Sequence, residues 1–351
     1  RVERVTDPAE VTVPPYFPDT PEVRASIAQH YDNIHYMDGQ VAEIVAALEA
    51  DGLADDTIVV WTTDHGDAFP RAKRAVYDSG TRVPMVVRFP DASDAGTVRP
   101  QLVSFVDLAP TFLALADVDV PEFIQGRNFL EGDPREYVYA ARDRMDETVD
   151  RQRSVRDQRY RYIRNFMPEV AYFRPLLFRD MFPIMRELWR GAEGDQLAPE
   201  QNFYFTAPRP VEELYDIEAD PHEVDNLAGR DEYQSILVRM RSELERWIRS
   251  VGDRGETPEL EMVESMWPGL VQPVTSAPLV ETSVGADGSQ LLTLASATEG
   301  ASIGYRVNDG AWQLYTGSFT VDAAATVETK AIRYGYKESA VVAITADWQP
   351  K

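Results

Sequence analysis

The sequence predicts an α/β fold that gives way to a smaller antiparallel sheet and then to an all-β C-terminal module. Three observations carry that reading. Two apolar runs, residues 58–61 and 85–87, follow a long amphipathic stretch and bracket a polar loop, the arrangement of strands and helices built around one core. From about residue 135 the pattern turns to alternating large apolar and basic residues, as in Tyr160-Arg161-Tyr162-Ile163-Arg164-Asn165-Phe166, which suits half-buried strands. Beyond residue 278, short β-type runs are separated by turns such as Asn308-Asp309-Gly310, the pattern of a β-sandwich.

Taken in order, residues 1–18 are rich in proline and acidic residues and read as an extended loop. A helix begins with Asp19 or Thr20 as N-cap and Pro21 in its first turn, and Glu22 stands three residues after Asp19 in capping-box spacing. Val23, Ile27, Tyr31, Ile34, Val41, Ile44, Val45 and Leu48 recur with helical period, and Gly52 ends the helix. His35, on this helix, is a candidate ligand or a packing residue.

The runs at 58–61 and 85–87 read as strands buried on both faces. Asp64 and His65 stand where the first strand ends, the place where open α/β sheets bind ligands. A carboxylate and an imidazole on adjacent residues can turn toward one cation there. Gly66 admits a turn that a Cβ would obstruct. Asp67 is a further acidic loop residue or a partner to that pair. Lys73 is one of several cations in the loop, with Arg71 and Arg74 beside it. Asp107 opens a helix running to about Leu115, where its carboxylate favours the helix dipole.

Residues 137–140, 152–156 and 160–166 read as strands, the last two forming a hairpin around Asp157-Gln158. Residues 167–205 form an irregular insertion with a helix at 183–190. Such insertions commonly wall a pocket. Residues 211–228 hold a short strand, an Asp220-Pro221 turn and Asn226 as a cap for the next helix, whose apolar face is Tyr233, Ile236, Leu237, Met240, Leu244, Trp247 and Ile248. After a linker at 252–278, strands are expected around 292–294, 304–307, 312–315, 319–321, 326–332 and 340–344. Trp312 and Tyr315 either stack on sugar or pack between the sheets.

Composition bounds the function. A chain of 351 residues suggests two or three domains. A net charge of −24 argues against nucleic-acid binding, so an anionic substrate must be met by a local cluster of arginines and a metal. There is no cysteine, hence no disulfide or thiolate site. No apolar run reaches the roughly 18 residues of a membrane span, and no signal peptide is visible.

The stretch Gly52-Leu53-Ala54-Asp55-Asp56-Thr57-Ile58-Val59, then Asp64-His65-Gly66, Lys73 and Arg82-Val83-Pro84, resembles the sulfatases of the alkaline-phosphatase-like superfamily. Glu213-Leu214-Tyr215-Asp216, followed by Asp220-Pro221 and Asn226-Leu227, is similar to a second sulfatase segment, and Gln125-Gly126-Arg127 to a loop that closes the large domain. The spacing Phe69-Pro70-Arg71-Ala72-Lys73 looks most like the heparan N-sulfatase (sulfamidase) branch.

The resemblance implies a fold made of the C-terminal part of a sulfatase α/β sandwich at 1–134 and a smaller α+β subdomain at 135–268. An appended immunoglobulin-like module at 278–351 resembles those of carbohydrate-active enzymes. It implies Asp64 and His65 as metal ligands for Ca²⁺, or Mg²⁺ as in some relatives, and Lys73 as the catalytic contact to the sulfate. Arg142, Arg144, Asp146 and Glu147 are candidate sugar contacts, the alternative being a salt-bridged loop. The family's nucleophile, a formylglycine made from Cys/Ser-x-Pro-x-Arg, has no counterpart here; Ser276-Ala277-Pro278 is followed by Leu279-Val280. The nucleophile, two more metal-binding aspartates and a catalytic histidine are therefore expected on a preceding N-terminal fragment, a tightly associated partner. The substrate implied is a sulfated carbohydrate, O-sulfated or N-sulfated, and the location periplasmic or secreted. The alternatives are a phosphodiesterase or phosphonate hydrolase of the same superfamily, or a non-catalytic glycan-binding fragment.

Overall fold

The computed structural model describes residues 2–285 and 288–345; Arg1 and the end of the predicted module, 346–351, lie outside the described residues. The chain forms two compact units, Arg1–Asp253 and Arg254–Lys351. Among the described residues no helix is long and apolar enough to cross a membrane.

The first unit begins with α1 (Pro21–Ala50), whose N-cap is Thr20: its side-chain oxygen accepts a hydrogen bond from the Val23 amide at 3.3 Å. Gly52 follows the helix at φ +70°, the left-handed conformation that ends helices. Only the start of the apolar face is covered. Val23, Ile27 and Ala28 are buried, while Tyr31, Ile34 and Ile44 are exposed.

β1 (Val59–Thr62) and β2 (Met85–Arg88) pair antiparallel, with Val59 opposite Arg88 and Thr62 opposite Met85; the short α2 (Asp78–Thr81) lies between them in sequence. These two strands differ from the expectation of burial on both faces. They make a two-stranded ribbon that is only half-buried, with Val86 59% exposed, because a ribbon lacks the neighbouring strands and covering layers that bury a wide sheet. β1 and α3 (Leu108–Leu115) leave an apolar groove of about 360 Å³ lined by Ile58, Val60, Phe112, Leu115 and Ala116.

Asp107, just before α3, acts as a junction. It accepts from Arg135 Nε at 2.6 Å and from the Ser104 and Arg127 amides at 3.0 Å each. Burial works against its charge, but these donors, Arg135 foremost, hold the carboxyl below its ordinary range. A depressed carboxyl stabilises the fold above its ordinary pKa and loses that contribution as pH falls through the lower folded value. Asp107→Asn is therefore expected to cost stability at pH 7 and progressively less below about pH 4. Urea unfolding followed across pH 3–7 checks this, and a penalty that stays constant with pH would contradict it.

The second sheet runs in the order β3-β4-β5-β6 and is antiparallel throughout: β3 (Val138–Arg142), β4 (Gln152–Arg156), β5 (Tyr160–Asn165) and β6 (Glu212–Asp216). Its side chains alternate between two layers, as strand geometry requires. Val155, Tyr162 and Leu214 pack one way, against Leu237, Met240 and Leu244 of α7 (Gln234–Val251). Ile163 and Tyr215 face the other way, into a core shared with Val23, Ile27 and Tyr77. The insertion after β5 holds α4 (Leu177–Asp180), α5 (Pro183–Glu193) and α6 (Pro199–Asn202). α5 adds Ile184, Met185 and Leu188 to that second core. Asn226, expected as a helix cap, instead accepts from the Leu214 and Ala228 amides and so pins the turn after β6 to the sheet.

The second unit opens with α8 (Glu259–Met266) and continues as two sheets. One has the order β11-β8-β7, made from β7 (Leu279–Val284), β8 (Gln290–Ala295) and β11 (Phe319–Val321). The other is β10-β9-β12-β13, from β9 (Ser302–Val307), β10 (Gln313–Leu314), β12 (Val327–Ile332) and β13 (Val342–Ile344). Val280 and Leu292 from the first sheet meet Ile303, Val327 and Ile344 from the second in one core. β7 escapes the sequence pattern because only Val280 of its six residues is buried. Tyr315 packs against the core and its hydroxyl accepts from the Leu294 amide at 3.0 Å, while Trp312 is 38% exposed, with the Lys330 ammonium 4.4 Å from its ring centre.

Candidate functional site

The loop that leaves β1 is folded back on itself by contacts that need small residues. The Gly66 amide donates to the Gly80 carbonyl at 3.1 Å, and a Cβ on Gly66 would lie 1.8 Å from the Ser79 carbonyl oxygen. Glycine is required there by close approach rather than by a left-handed φ. The fold thereby holds Asp64 and His65 at the mouth of the loop.

His65 Nδ1 lies 2.6 Å from the Gly66 carbonyl oxygen. A carbonyl only accepts, so Nδ1 carries the proton and a neutral ring keeps its lone pair on Nε2. Nε2 in turn lies 3.5 Å from Asp64 Oδ2. Two acceptors facing each other at that distance suit a shared cation or a second ring proton. The backbone hydrogen bond that fixes the tautomer is the kind that orients metal-bound histidines. The Asp64 side chain is 86% exposed, which leaves its carboxylate open to further coordination. Two donors are far short of the six to eight that Ca²⁺ takes, and among the described residues no group of three or more His, Cys, Asp or Glu comes together to hold a metal. The pair fits as part of a ligand set, not as a whole one.

Asp67 accepts from His30 of α1, at 2.9 Å from Nε2, and its carbonyl accepts from the Lys73 amide at 2.9 Å. That closes the 67–73 turn and sets where Lys73 points. The Lys73 ammonium stands 5.9 Å from the centre of the Phe178 ring, and among the described residues it has no carboxylate partner. The neighbouring arginines differ. Arg71 is buried between the Tyr16 and Tyr77 rings, 4.4 and 3.9 Å from their centres, and donates to the Glu223 carbonyl at 2.8 Å. Its role is to hold the loop to the core. Arg74 pairs with Asp146 at 2.5 Å. His35 is exposed on α1, and His222 lies against the Tyr16 ring with centres 5.9 Å apart.

The four candidate sugar contacts fall in two environments. Arg142 is nine-tenths buried, 3.8 Å from Asp150 and 5.4 Å from the Tyr172 ring centre. Asp146 takes Arg74, and Glu147 accepts from the Leu177 amide at 2.7 Å. Arg144 is exposed on the same loop. The loop at 141–148 is therefore both laced with ion pairs and joined to the Lys73 region through Arg74. Phe178 and Arg179 of α4, which no sequence pattern singled out, complete this region: Arg74 stands 5.3 Å from the Phe178 ring centre. Burial, reinforced by the nearby charges of Arg142 and Arg74 against the pull of Asp180, holds the Arg179 guanidinium below its ordinary value.

Residues 5–118 match the Sulfatase family model, and residues 68–174 match the model for N-sulphoglucosamine sulphohydrolase, C-terminal. The chain is similar to an ulvan-active sulfatase of Formosa agariphila, 41% identical over 343 residues, covering 95% of this chain and 57% of that protein. It is also similar to the N-sulphoglucosamine sulphohydrolase of Homo sapiens, 29% identical over 262 residues, covering 69% of this chain and 51% of the relative. A solved 2-O GAG sulfatase shares the fold, with a TM-score of 0.50 and 22% identity over 72% of this chain and 52% of that one. The chain thus spans about half the length of these curated relatives. The first model spans the whole Asp64 to Lys73 loop, the two models overlap over residues 68–118, and through these residues the chain is similar to the sulfatases.

Proposed function

We propose that this chain is the C-terminal part of a sulfatase that hydrolyses sulfate esters or N-sulfamates of a sulfated carbohydrate. The observation that carries the reading is the loop after β1: Asp64 and His65 Nε2 converge at 3.5 Å, and nine residues after Asp64, Lys73 holds a cation that has no carboxylate partner among the described residues. Asp64 and His65 would hold Ca²⁺, or Mg²⁺, which when bound polarises a sulfate oxygen as a Lewis acid. Lys73 is a compact charge placed to offset negative charge on the transferring group. The formylglycine nucleophile and the remaining ligands sit on a preceding segment. The half-buried ribbon of β1 and β2, the exposed apolar residues of α1 and the groove beside α3 support a covering segment there.

The test is a substrate screen with the complete protein, reading inorganic sulfate by ion chromatography. Sulfate release from a sulfated polysaccharide such as ulvan, or from N-sulfated glucosamine, is the expected result. Turnover of phosphonate or phosphodiester substrates without any sulfate release would favour the phosphonate hydrolase reading, and glycan binding with no turnover would favour the glycan-binding one. Dialysis against a chelator is expected to abolish the activity and Ca²⁺ to restore it. Asp64→Ala is expected to raise the Ca²⁺ concentration needed by about 10–100-fold, the range for a weakened ligand sphere. An unchanged Ca²⁺ requirement would remove Asp64 from the ligand set.

A further inference from the structure

We propose that Arg179, Arg142 and Arg74, with the Phe178 ring as an apolar floor, form a second anion subsite beside Lys73, one that receives a further oxyanion of the glycan while Lys73 meets the sulfate to be removed. The inference rests on the functional reading above, from which it takes the position of the reacting sulfate.

The first ground is the charge balance. Asp146 takes Arg74 and Asp180 lies 3.3 Å from Arg179. Asp150 is shared: Arg209 donates to it at 3.0 Å, and Arg142 lies 3.8 Å away. Lys73 has no carboxylate partner among the described residues. With Glu147 also present, Lys73, Arg74, Arg142, Arg179 and Arg209 face Asp146, Glu147, Asp150 and Asp180, so cations outnumber carboxylates five to four here, in a chain whose net charge is −24. Gathering like charges costs free energy, and an excess kept in one place against the overall field is suited to receiving anions.

The second ground is hydrogen bonding. The Nε–H groups of Arg74 and Arg142 are enclosed and have no acceptor among the described residues. An enclosed donor without a partner is unfavourable, and an arriving oxyanion relieves it by drawing the guanidinium into a charge-assisted pair. The depressed affinity of Arg179 for its proton, caused by burial and by Arg142 and Arg74, points the same way.

The third ground is shape. Phe178 is 44% exposed, and its ring gathers Lys73 and Arg74 at 5.9 and 5.3 Å. A half-exposed ring rimmed by cations suits the apolar face of a sugar whose substituents are anionic. α4, which carries Phe178 and Arg179, is not loose. Its Leu177 amide is held by Glu147, and Arg179 donates to Asp180 and, at 2.5 Å, to the Arg174 carbonyl. The platform is thereby tied to the 141–148 loop, and through Arg74 and Asp146 to the loop that bears Lys73.

The ligand chemistry is an oxyanion on the same or the adjacent sugar, either a second sulfate or a uronic carboxylate. The test compares three probes on the complete protein: a monosulfated neutral disaccharide, the same disaccharide with a second sulfate, and a monosulfated disaccharide bearing a uronic carboxylate. Calorimetric dissociation constants and kcat/KM are measured for each. The wild type is expected to prefer one or both doubly anionic probes, and the preferred one identifies the source. Arg179→Gln is expected to reduce that preference about 10–100-fold, the value of one charge-assisted hydrogen bond to an anion. Arg179→Lys should retain most of it, and Phe178→Ala should weaken all three probes together. Equal preference ratios in wild type and Arg179→Gln, or no wild-type preference, would overturn the proposal. If the probes bind with the expected preference but none is hydrolysed, the sulfatase reading fails while the subsite stands.

Discussion

Lys73→Ala, made in the complete protein, is expected to lower kcat for sulfate release by about 100–1000-fold, the loss seen when one preorganised charge-stabilising donor is removed. Among the described residues the ammonium has a ring rather than a carboxylate for a neighbour, 5.9 Å from the Phe178 centre, so the change breaks no ion pair among them. The 67–73 turn is held by backbone and by Asp67 with His30, which the substitution leaves in place. Folding should therefore be unaffected and the melting temperature close to wild type. Lys73→Arg keeps the charge but spreads it over a planar fork, and should recover only part of the rate. A Lys73→Ala enzyme within threefold of wild-type kcat, at equal melting temperature, would show that Lys73 is a solvated loop charge.

Arg161→Met is expected to have the largest effect on stability. From β5 the Arg161 side chain crosses to the loop that closes the site. It donates to the Val76 carbonyl at 2.5 Å and the Thr81 hydroxyl at 3.1 Å, pairs with Glu223 at 2.7 Å, and also pairs with Asp78. The side chain is 3% exposed. Burial opposes the charge on Asp78, yet Arg161 and then Arg156 hold its carboxyl below the ordinary range. Burial pushes the Glu223 carboxyl up, with Arg161 and Arg71 opposing. Removing the guanidinium leaves two buried carboxylates short of a partner, at a cost of about 3–5 kcal/mol. For a unit of this size that corresponds to a fall in melting temperature of roughly 6–20 °C. Calorimetry of the first-unit transition checks it, and a shift under about 2 °C would mean that Arg156 and Arg71 suffice alone.

Much of the frame was legible because local chemistry and tertiary role agree. Thr20 reads as a cap and acts as one, the period of Val23 and Ile27 marks the buried start of α1, and the 152–166 hairpin forms where the alternation of Tyr160 to Phe166 places it. The two-sheet core of the C-terminal unit follows its short apolar runs. The strands at 58–61 and 85–87 were legible as strands but not in their exposure. An apolar run records what a strand can bury, whereas Val86 stays exposed in a two-stranded ribbon.

The candidate site divides in the same way. Asp64, His65 and Gly66 are consecutive, so their adjacency is visible before folding. Phe178 and Arg179 come from an insertion about 100 residues beyond Lys73, and nothing periodic marks them, since juxtaposition across that separation is set by packing alone. Arg142 and Arg144 look alike in sequence. The structure separates them, one in the Asp150 and Tyr172 environment and the other exposed.

The central claim is that the loop from Asp64 to Lys73 belongs to a sulfate-hydrolysing site. It is tested most directly by the rate of inorganic sulfate release from a sulfated glycan by the complete wild-type protein, set against Asp64→Ala and Lys73→Ala at a Ca²⁺ concentration that just saturates the wild type. The expected result is measurable release by the wild type and a fall of about 100-fold or more in Lys73→Ala, with Asp64→Ala also impaired and all three proteins folded. Release at wild-type rate by both variants would contradict the account, whatever the family of the chain.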